Sequence, residues 1–579
     1  MIFGRPGGEN GSQYVTRGED IVISDGFITF SYPVRMPARA EVGSADRRRA
    51  WTRCATRPAV ARNLVPTESS CPIAHRVPAP LALRDIESGV RSGAMCSSSR
   101  SVMYTGQHVT ATKIYDNDDM PYIRPLDPQM ATLGTMMQAA GYYTTDQGKW
   151  HLSNAYRTPE NPNPTAKALQ PYGFTEFNDW GDIDGGAWAG LKVDPVIAGQ
   201  AVRWLREKAP VVARDQPWFM TVNFVNPHDI MSYDYGTTRS ITPPPNLAEA
   251  VKVKPPAETP LYRKQWDIDV PDSASDDLSG APQAVREYAG LADAMFGPVL
   301  DQQDWQRGLN FYVNCIRDVD RSVALVLDAL VASGQADSTV VIFTSDHGEL
   351  AGSHGLRQKG NLVYDENFHV PLIICHPDID GGNRSDALGS AVDLAPTILN
   401  LAGVDPEDLR DRFDGLGGRS LVPALSDGRP VRDGVLTAVE SVLTLDADFW
   451  RAFAAADTPA RIQSGDLRPD WHKRGFLRGY TDHRYTFGRY FSPLDPNRPR
   501  SVDELLAGND VVLYDRQTDP DETVNLAVDP VHRGLVATYL AKLEALIDAE
   551  IGRDLNPWVT EKPVLLGAPK WRGDAAVVA

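Results

Sequence analysis

A short apolar run, Val340–Thr344, stops abruptly at Ser345-Asp346-His347-Gly348 and constrains the fold of this chain more than any other stretch. Its β-branched and aromatic residues predict a buried strand. In an open α/β sheet, ligands bind in the crevice beyond the carboxyl ends of the strands. Asp346 and His347 at that edge can offer a carboxylate oxygen and an imidazole nitrogen to a divalent cation. The competing interpretation, favoured for an isolated Asp-His-Gly, is that Asp346 caps a turn while His347 packs.

Strand patterns and helical patterns alternate over most of residues 95 to 450. Helical periodicity occurs at 133–140, 193–207, 308–333 and 393–402, and strand-like runs occur at 142–145, 217–225, 340–344 and 370–375. This alternation predicts an α/β fold with a central, mostly parallel sheet flanked by helices. Further along, strand patterns at 476–480, 484–488 and 511–515 and a helical pattern at 536–551 predict a small C-terminal α+β subdomain.

These patterns divide the chain into three parts. Residues 1–93 form an atypical segment that is rich in Arg, Pro and Ala and nearly without periodicity. A mistranslated start and a genuine but unusual, disordered N-terminus both explain it. Residues 94–455 form the main α/β domain, and 456–579 form the antiparallel sheet plus helix. A Pro-rich, acidic stretch at 233–305 is too long for a simple connection and is expected to be a functional loop at the entrance of the site.

Composition excludes several classes of protein. The formal net charge of -18 makes nucleic acid an unfavourable partner. No apolar run approaches the roughly 18 residues of a membrane span, and the first residues lack the apolar core of a signal peptide. The five cysteines are scattered without the spacing of a metal site or a disulfide framework. A cytoplasmic location is therefore expected.

One cysteine lies where a reactive group is expected. Cys96 begins a predicted helix, in the sequence Cys96-Ser97-Ser98-Ser99-Arg100. The positive field of a helix N-terminus, reinforced by Arg100 one turn later, suits a thiolate or another anion. A structural cysteine in a serine-rich loop is an equally good explanation of this segment alone.

Further polar groups follow predicted strands. Lys149 and His151 alternate with Trp150, so that both can face the same side. His228 follows a buried strand and Pro227, and its ordinary pKa near 6.5 suits a general acid. Lys359 lies in a glycine-bounded loop beyond Asp346. Each has an ordinary explanation as a solvated or turn residue, and only their combination favours a site for an anion.

In this order the residues resemble the sulfatases, a family in the alkaline-phosphatase-like superfamily of metal-dependent sulfo- and phospho-hydrolases. Residues 96–106 are similar to the sulfatase signature, in which Cys-x-Pro-x-Arg is followed by Thr-Gly or Ser-Gly. Residues 148–152 are similar to the family's GKWHLG. The segments 226–229, 345–359 and 513–526 also have family counterparts. The resemblance extends over about residues 94 to 545.

The resemblance implies a hydrolase of sulfate monoesters that acts on a small-molecule ester. A maturation enzyme would convert Cys96 to formylglycine, whose hydrated form supplies the attacking oxygen. Asp346, His347 and the modified Cys96 would bind a divalent metal, with calcium expected first and manganese or magnesium next. The remaining residues would act on the ester: Arg100 would hold the nucleophile, Lys149, His151 and Lys359 would neutralise sulfate oxygens or assist release, and His228 would serve the leaving oxygen.

This chain departs from the family pattern in three places. Ser98 stands where the family usually has Pro, and His347 stands where many sulfatases have Asn. The family also has a pair of metal-binding aspartates after its first strand, and the nearest candidate here is 21–25. Asp346 and His347 alone are few ligands for calcium, which takes 6–8 oxygens. A phosphonate or phosphate ester hydrolase and a non-catalytic sulfatase-like protein therefore stand as alternatives.

Overall fold

The computed structural model describes residues 27–31, 83–86, 90–91 and 93–552, with gaps at 119, 121–122, 154–165, 184, 236–258, 380–382, 406–407, 409–411, 414, 427 and 454–466. Within these residues, no helix is long and apolar enough to cross a membrane. The candidate metal strand at 21–25 lies outside the described residues.

A seven-stranded sheet forms the centre of the fold, in the order β4-β5-β1-β6-β8-β2-β9. Its strands are β1 (Phe27–Ser31), β2 (Leu83–Ile86), β4 (Tyr143–Gly148), β5 (Trp218–Asn223), β6 (Val340–Thr344), β8 (Leu372–Cys375) and β9 (Asn383–Ser385). Every residue of β5 and β6 is buried, as their continuous apolar sequences predict. A smaller sheet contains β3 (Val90–Arg91), β7 (His369–Val370) and β10 (Gly389–Ser390).

The predicted α/β class is confirmed, but the strand pairing is more mixed than the expected mostly parallel sheet. β4 and β5 pair in parallel, as expected for strands joined by a helical crossover. β1 instead pairs antiparallel with both β5 and β6, and β8 pairs antiparallel with β6. Alternating strands and helices predict parallel pairing only for strands that a crossover helix joins. β1 comes from the N-terminal segment, and only short helical turns and the two-residue β7 lie between β6 and β8.

Most helices of the main domain pack around this sheet in one continuous apolar core, whereas those at 283–296, 365–368 and 447–453 contribute to separate apolar clusters. The helices of the main domain are α1 (Cys96–Thr105), α2 (Val109–Thr112), α3 (Leu133–Ala139), α4 (Ala189–Arg203), α5 (Ala209–Val212), α6 (Gln283–Phe296), α7 (Gln302–Ala332), α8 (Asp365–Phe368), α9 (Leu394–Leu401), α10 (Val422–Ser426) and α11 (Ala447–Phe453). α7 begins six residues before the predicted start because the Asp301 carboxylate accepts the Asp304 N–H at 2.8 Å. The stretch 233–305 contains α6 among its described residues.

A four-stranded antiparallel sheet follows, in the order β11-β12-β13-β14. Its strands are β11 (Val435–Val439), β12 (Phe476–Thr481), β13 (Tyr485–Phe491) and β14 (Asp510–Asp515), accompanied by α12 (Val502–Gly508) and α13 (Arg533–Glu550). α13 packs its apolar face on this sheet. The predicted α+β subdomain is thus present, and its sheet takes a strand from upstream of residue 456. The division at that residue stays a prediction.

Candidate active site

Cys96 is the first residue of α1 and lies at the carboxyl edge of the central sheet. Only 2% of its surface is exposed, and all ten residues of α1 are buried. Its Sγ lies 3.1 Å from Nε2 of His347, which follows β6. Met95 provides no side-chain N-cap for the helix, and the Ser97 N–H in its first turn donates to Asn117 Oδ1 at 3.3 Å. The predicted helix therefore begins at the cysteine itself.

Arg100 joins the ends of three elements. Its Nε donates to Asp346 Oδ2 at 2.9 Å, and its Nη1 donates to the Lys149 carbonyl at 2.8 Å. The arginine is on α1, whereas the lysine follows β4 and the aspartate follows β6. Arg100 and Asp346 are 3% exposed, so that this ion pair is almost completely removed from water. The arginine thereby fixes the orientation of the carboxylate.

Cys96, Asp346 and His347 form the candidate metal group of this site. Their ligand atoms lie within 4.8 Å of one another, and all three residues are buried. Buried carboxylate and imidazole groups facing one space are typical metal ligands. The residues present therefore fit part of the coordination shell of a divalent cation, and the structure brings Asp346 and His347 together as a metal site requires.

The charges in this group stabilise one another. Burial opposes ionisation of His347, but the Asp346 carboxylate raises its pKa to about 9. Burial likewise opposes ionisation of Asp346, yet His347 and Arg100 hold its pKa below the ordinary value. The carboxylate is accordingly anionic at neutral pH, which is the form that binds a metal, whereas His347 has to lose its proton before it can bind one.

Two lysines supply positive charge next to the cysteine. Lys149 and Lys359 are 2% and 8% exposed. Burial raises the pKa of the Cys96 thiol, but the two lysines, followed by His347 and His228, bring it well below the ordinary value. A cavity that stabilises a buried thiolate in this way also stabilises another anion placed there. The predicted clustering of these residues around Cys96 is what the structure shows.

His228 approaches the same cysteine from the end of β5. It begins a turn, His228–Ser232, directly after the cis peptide bond between Asn226 and Pro227. Its Nε2 lies 2.9 Å from the Gly185 carbonyl, to which it donates. Burial, and then Lys149, lower its pKa to about 4. His228 is therefore a neutral imidazole at pH 7, and its predicted role as an acid stays a prediction.

His151 is held from both sides. Its Nδ1 lies 3.0 Å from Ser97 Oγ, and its Nε2 lies 3.3 Å from Asp118 Oδ1. The backbone N–H of His151 donates to Asp182 Oδ2 at 2.7 Å, and that of Trp150 donates to Oδ1 at 2.8 Å. Burial, followed by Lys149, brings the pKa of His151 well below its ordinary value. The strand-end position predicted for this residue is correct, and its chemical role stays a prediction.

Sequence patterns missed three aspartates near the site: the partly buried Asp118 and Asp182 and the buried Asp146. The first two orient His151 and its backbone, and they belong to the acidic runs DNDD and DWGDID. The sequence signal that could have indicated these aspartates is the clustering of acidic residues in the two runs. The third lies on β4, where its Oδ2 accepts hydrogen bonds from the Tyr104 hydroxyl at 2.6 Å and the Asn223 amide at 3.1 Å.

Asp146 predicts a specific dependence of stability on pH. Burial raises its pKa to about 7 in the folded protein, against about 3.9 in an unfolded chain. Because the folded pKa is the higher one, the protein loses stability as pH rises from about 4 to about 7. The Asp146→Asn variant does not ionise, so its free energy of unfolding relative to wild type should improve by up to about 4 kcal/mol over that interval.

Urea denaturation of both proteins at pH 4.5 and pH 8 measures this change. The exposed Asp337 provides the control, since Asp337→Asn should differ from wild type equally at both pH values. An Asp146→Asn effect that is the same at pH 4.5 and pH 8 would contradict the prediction.

Comparison with known proteins agrees with this geometry. The protein-family profile named Sulfatase matches residues 86–404. The chain is 28% identical to the uncharacterized sulfatase YidJ of Escherichia coli over 54% of its own length and 60% of that protein, so it spans about three fifths of this relative. It is 24% identical to the Delta 4,5-hexuronate-2-O-sulfatase of Bacteroides thetaiotaomicron over 78% of each chain.

The fold is similar to that of a solved 2-O GAG sulfatase. The TM-score is 0.57 at 20% identity, over 83% of this chain and 87% of that one. The profile match includes Cys96, Arg100, Lys149, His228 and the segment 345–359. Sulfatases generally use a divalent metal and a formylglycine, and the group of Cys96, Asp346 and His347 is a possible place for both. This chain belongs to the sulfatase family.

Proposed function

We propose that the protein hydrolyses sulfate monoesters, in the manner of an arylsulfatase, with Cys96 converted to formylglycine by a maturation enzyme. The observation that carries the proposal is the position of Cys96, buried at a helix N-terminus and 3.1 Å from His347. Lys149 and Lys359 stabilise negative charge at the same point. A nucleophile position surrounded by buried cations is suited to an anionic ester.

Each residue has a distinct task in this proposal. When bound, a divalent metal and the formylglycine supply polarisation of the ester and an oxygen nucleophile. Asp346, His347 and the modified Cys96 would hold that metal. Arg100 keeps the Asp346 carboxylate oriented through its 2.9 Å hydrogen bond.

The other residues act on the sulfate group and on the alcohol that leaves. Lys149 and Lys359 neutralise the sulfate oxygens, whose charge increases in the transition state. His228 stabilises the leaving oxygen, and His151 accepts or returns a proton when the product sulfate is released. Calcium is the first metal expected, manganese and magnesium follow, and the expected location is cytoplasmic.

A phosphonate or phosphate ester hydrolase is the second candidate, and His347 is the observation that favours it. An imidazole nitrogen 3.8 Å from the Asp346 carboxylate suits manganese better than it suits calcium, which prefers oxygen ligands. In the first candidate reaction the nucleophile attacks sulfur, and in the second it attacks phosphorus. The same buried cations would neutralise the oxygens of either group.

Parallel kinetics test the proposal. The full chain, co-produced with a formylglycine-generating enzyme, is assayed on 4-nitrophenyl sulfate and on 4-nitrophenyl phenylphosphonate with calcium or manganese. Because one relative is named for a hexuronate 2-O-sulfate, sugar sulfates form a third substrate panel. The expected result is a higher kcat/KM on a sulfate ester. A clear preference for the phosphonate would support the second candidate, and no turnover by fully modified, metal-loaded protein would support a non-catalytic protein.

Metal binding has its own test. Isothermal titration with calcium and with manganese should show one site in the wild type. Asp346→Asn should weaken binding by about 10–100-fold, because a neutral amide replaces the only carboxylate of the group. Asp337→Asn on the surface provides the control. Equal binding by Asp346→Asn and wild type would place the metal elsewhere.

A further inference from the structure

The short segment that carries His228 is attached to helix α4 by a buried carboxylate. Asp229 accepts the backbone N–H of Gly190 at 3.0 Å and that of Leu191 at 2.9 Å. These donors belong to the first turn of α4, where N–H groups lack partners within the helix. Trp188 at the N-cap position provides no side-chain hydrogen bond, so Asp229 caps α4 from another part of the chain.

A second carboxylate makes the same connection in the opposite direction. Asp194, on α4, accepts the backbone N–H of Val225 at 2.7 Å and that of Asn226 at 3.0 Å. These two residues follow β5 and lead directly to His228. The Asn226 side chain in turn accepts the Asp229 N–H at 3.3 Å. Four hydrogen bonds from backbone N–H groups to these two carboxylates therefore fix this segment against the helix.

This attachment determines where the His228 ring lies. The ring donates to the Gly185 carbonyl at 2.9 Å and packs so closely on Gly185 that an added Cβ there would lie 2.7 Å from Nε2. His228 follows β5 at the edge of the sheet where Cys96 begins α1, and it is one of the groups that lower the pKa of the Cys96 thiol. A small movement of the backbone at 225–229 would move the ring away from the nucleophile.

Burying two carboxylates to satisfy four N–H groups carries a large desolvation cost. Asp194 and Asp229 are each 2% exposed, and within the described parts of the chain neither forms an ion pair with a basic side chain. Burial raises the pKa of Asp229 to about 6 and that of Asp194 well above its ordinary value. A serine or threonine at the N-cap would satisfy the helix at a lower desolvation cost. The arrangement is therefore better explained by the position it imposes than by stability.

We propose that Asp194 and Asp229 are positioning residues that hold His228 near Cys96. There the Nε2–H, which donates to the Gly185 carbonyl in this structure, would instead donate a hydrogen bond to the leaving oxygen of the ester. This inference rests on the proposed hydrolysis and goes beyond it by assigning a function to two residues outside the reacting group. Neither carboxylate contacts the substrate in this proposal; both act through the backbone of the segment.

The dependence of rate on the leaving group distinguishes positioning from simple support of the fold. A good leaving group such as 4-nitrophenol needs little help from His228, whereas phenol, which is more basic, needs more. A displaced His228 should therefore slow phenyl sulfate more than 4-nitrophenyl sulfate. A variant that is only less well folded would lose the same fraction of its activity on both esters.

The variants Asp229→Asn and Asp194→Asn test the proposal in the full chain, co-produced with the maturation enzyme. An amide keeps the shape but offers one acceptor where two N–H groups require two. We expect kcat on phenyl sulfate to fall at least about tenfold more than kcat on 4-nitrophenyl sulfate, with little change in KM. Asp229→Glu, which keeps the charge but lengthens the side chain, should show the same selectivity and serves if the amide variants do not fold.

Asp482 offers a matched control far along the chain. Its Oδ1 accepts two neighbouring backbone N–H groups, those of Arg484 at 3.0 Å and Tyr485 at 2.9 Å, and its Oδ2 pairs with Lys542 at 2.9 Å. Asp482→Asn should affect both esters equally. Equal losses on the two esters in the Asp194 and Asp229 variants would overturn the positioning role.

Amide hydrogen exchange provides a readout that does not need turnover. Asp229→Asn should speed exchange at residues 190–191 and Asp194→Asn at 225–226, whereas Asp482→Asn should leave both regions unchanged. Unchanged exchange in the first two variants would refute the attachment even if the wild type proved inactive. A wild type without activity on any ester, together with faster exchange in the variants, would refute the proposed hydrolysis while retaining the attachment.

Discussion

Replacement of Cys96 by alanine is expected to lower kcat/KM on sulfate esters by roughly 10⁴-fold or more, because the residue provides the only nucleophile position in the proposed reaction. The residue is buried and its Sγ lies 3.1 Å from His347 Nε2, at the point where the two lysines stabilise negative charge. Mass spectrometry of the peptide carrying Cys96 accompanies the assay, since the wild-type peptide should show an aldehyde in place of the thiol.

Cys315, another buried cysteine, is the matched control. It lies on α7, and Cys315→Ala should retain activity on the same esters. Cys96→Ala with wild-type turnover would contradict the mechanism. Unmodified thiol in wild-type protein made beside a competent maturation enzyme would do so as well.

Arg100→Leu is expected to destabilise the protein by about 3–5 kcal/mol, because it leaves the Asp346 carboxylate charged and buried without its partner. The same change removes the donor to the Lys149 carbonyl, so the ends of β4 and β6 lose their common attachment. Activity should fall with it, since the carboxylate is no longer oriented. Urea denaturation measures the stability, and ester hydrolysis by the remaining folded fraction measures the activity.

A partly exposed arginine provides the control for Arg100→Leu. Arg498 pairs with Glu544 at 2.6 Å and with Asp548 at 2.7 Å, but a third of its side chain is exposed. Arg498→Leu should therefore cost less than about 1 kcal/mol. The double variant Arg100→Leu/Asp346→Leu should regain part of the stability and remain inactive. An Arg100→Leu loss no larger than that of Arg498→Leu would disprove the importance of the buried pair.

Short sequence patterns predicted the positions of most residues in the candidate site. Cys96 was expected at a helix start, and Asp346 and His228 were expected at strand ends, because continuous apolar runs reveal buried strands and the polar residue that ends each run. Since strands of one sheet end near a common edge, the proximity of these residues followed from the fold class. The structure places them together as predicted.

The partners of those residues were not predictable in the same way. Asp118 and Asp182 lie in irregular segments, where no periodicity indicates which way a side chain points. The position of β1 between β5 and β6 also escaped prediction, since strand order depends on contacts far apart in the sequence. The α-helix at Gln283–Phe296 was obscured by the prolines and acidic residues on either side of it.

The complete burial of α1 bears on when the proposed modification of Cys96 can take place. An enzyme that oxidises Cys96 would have to take the surrounding peptide into its own active site, and every residue from Cys96 to Thr105 is packed inside the folded protein. Under the proposed mechanism, modification would therefore have to precede folding, and protein that folds first would keep an unmodified thiol. The yield of active protein would then depend on the relative rates of modification and folding.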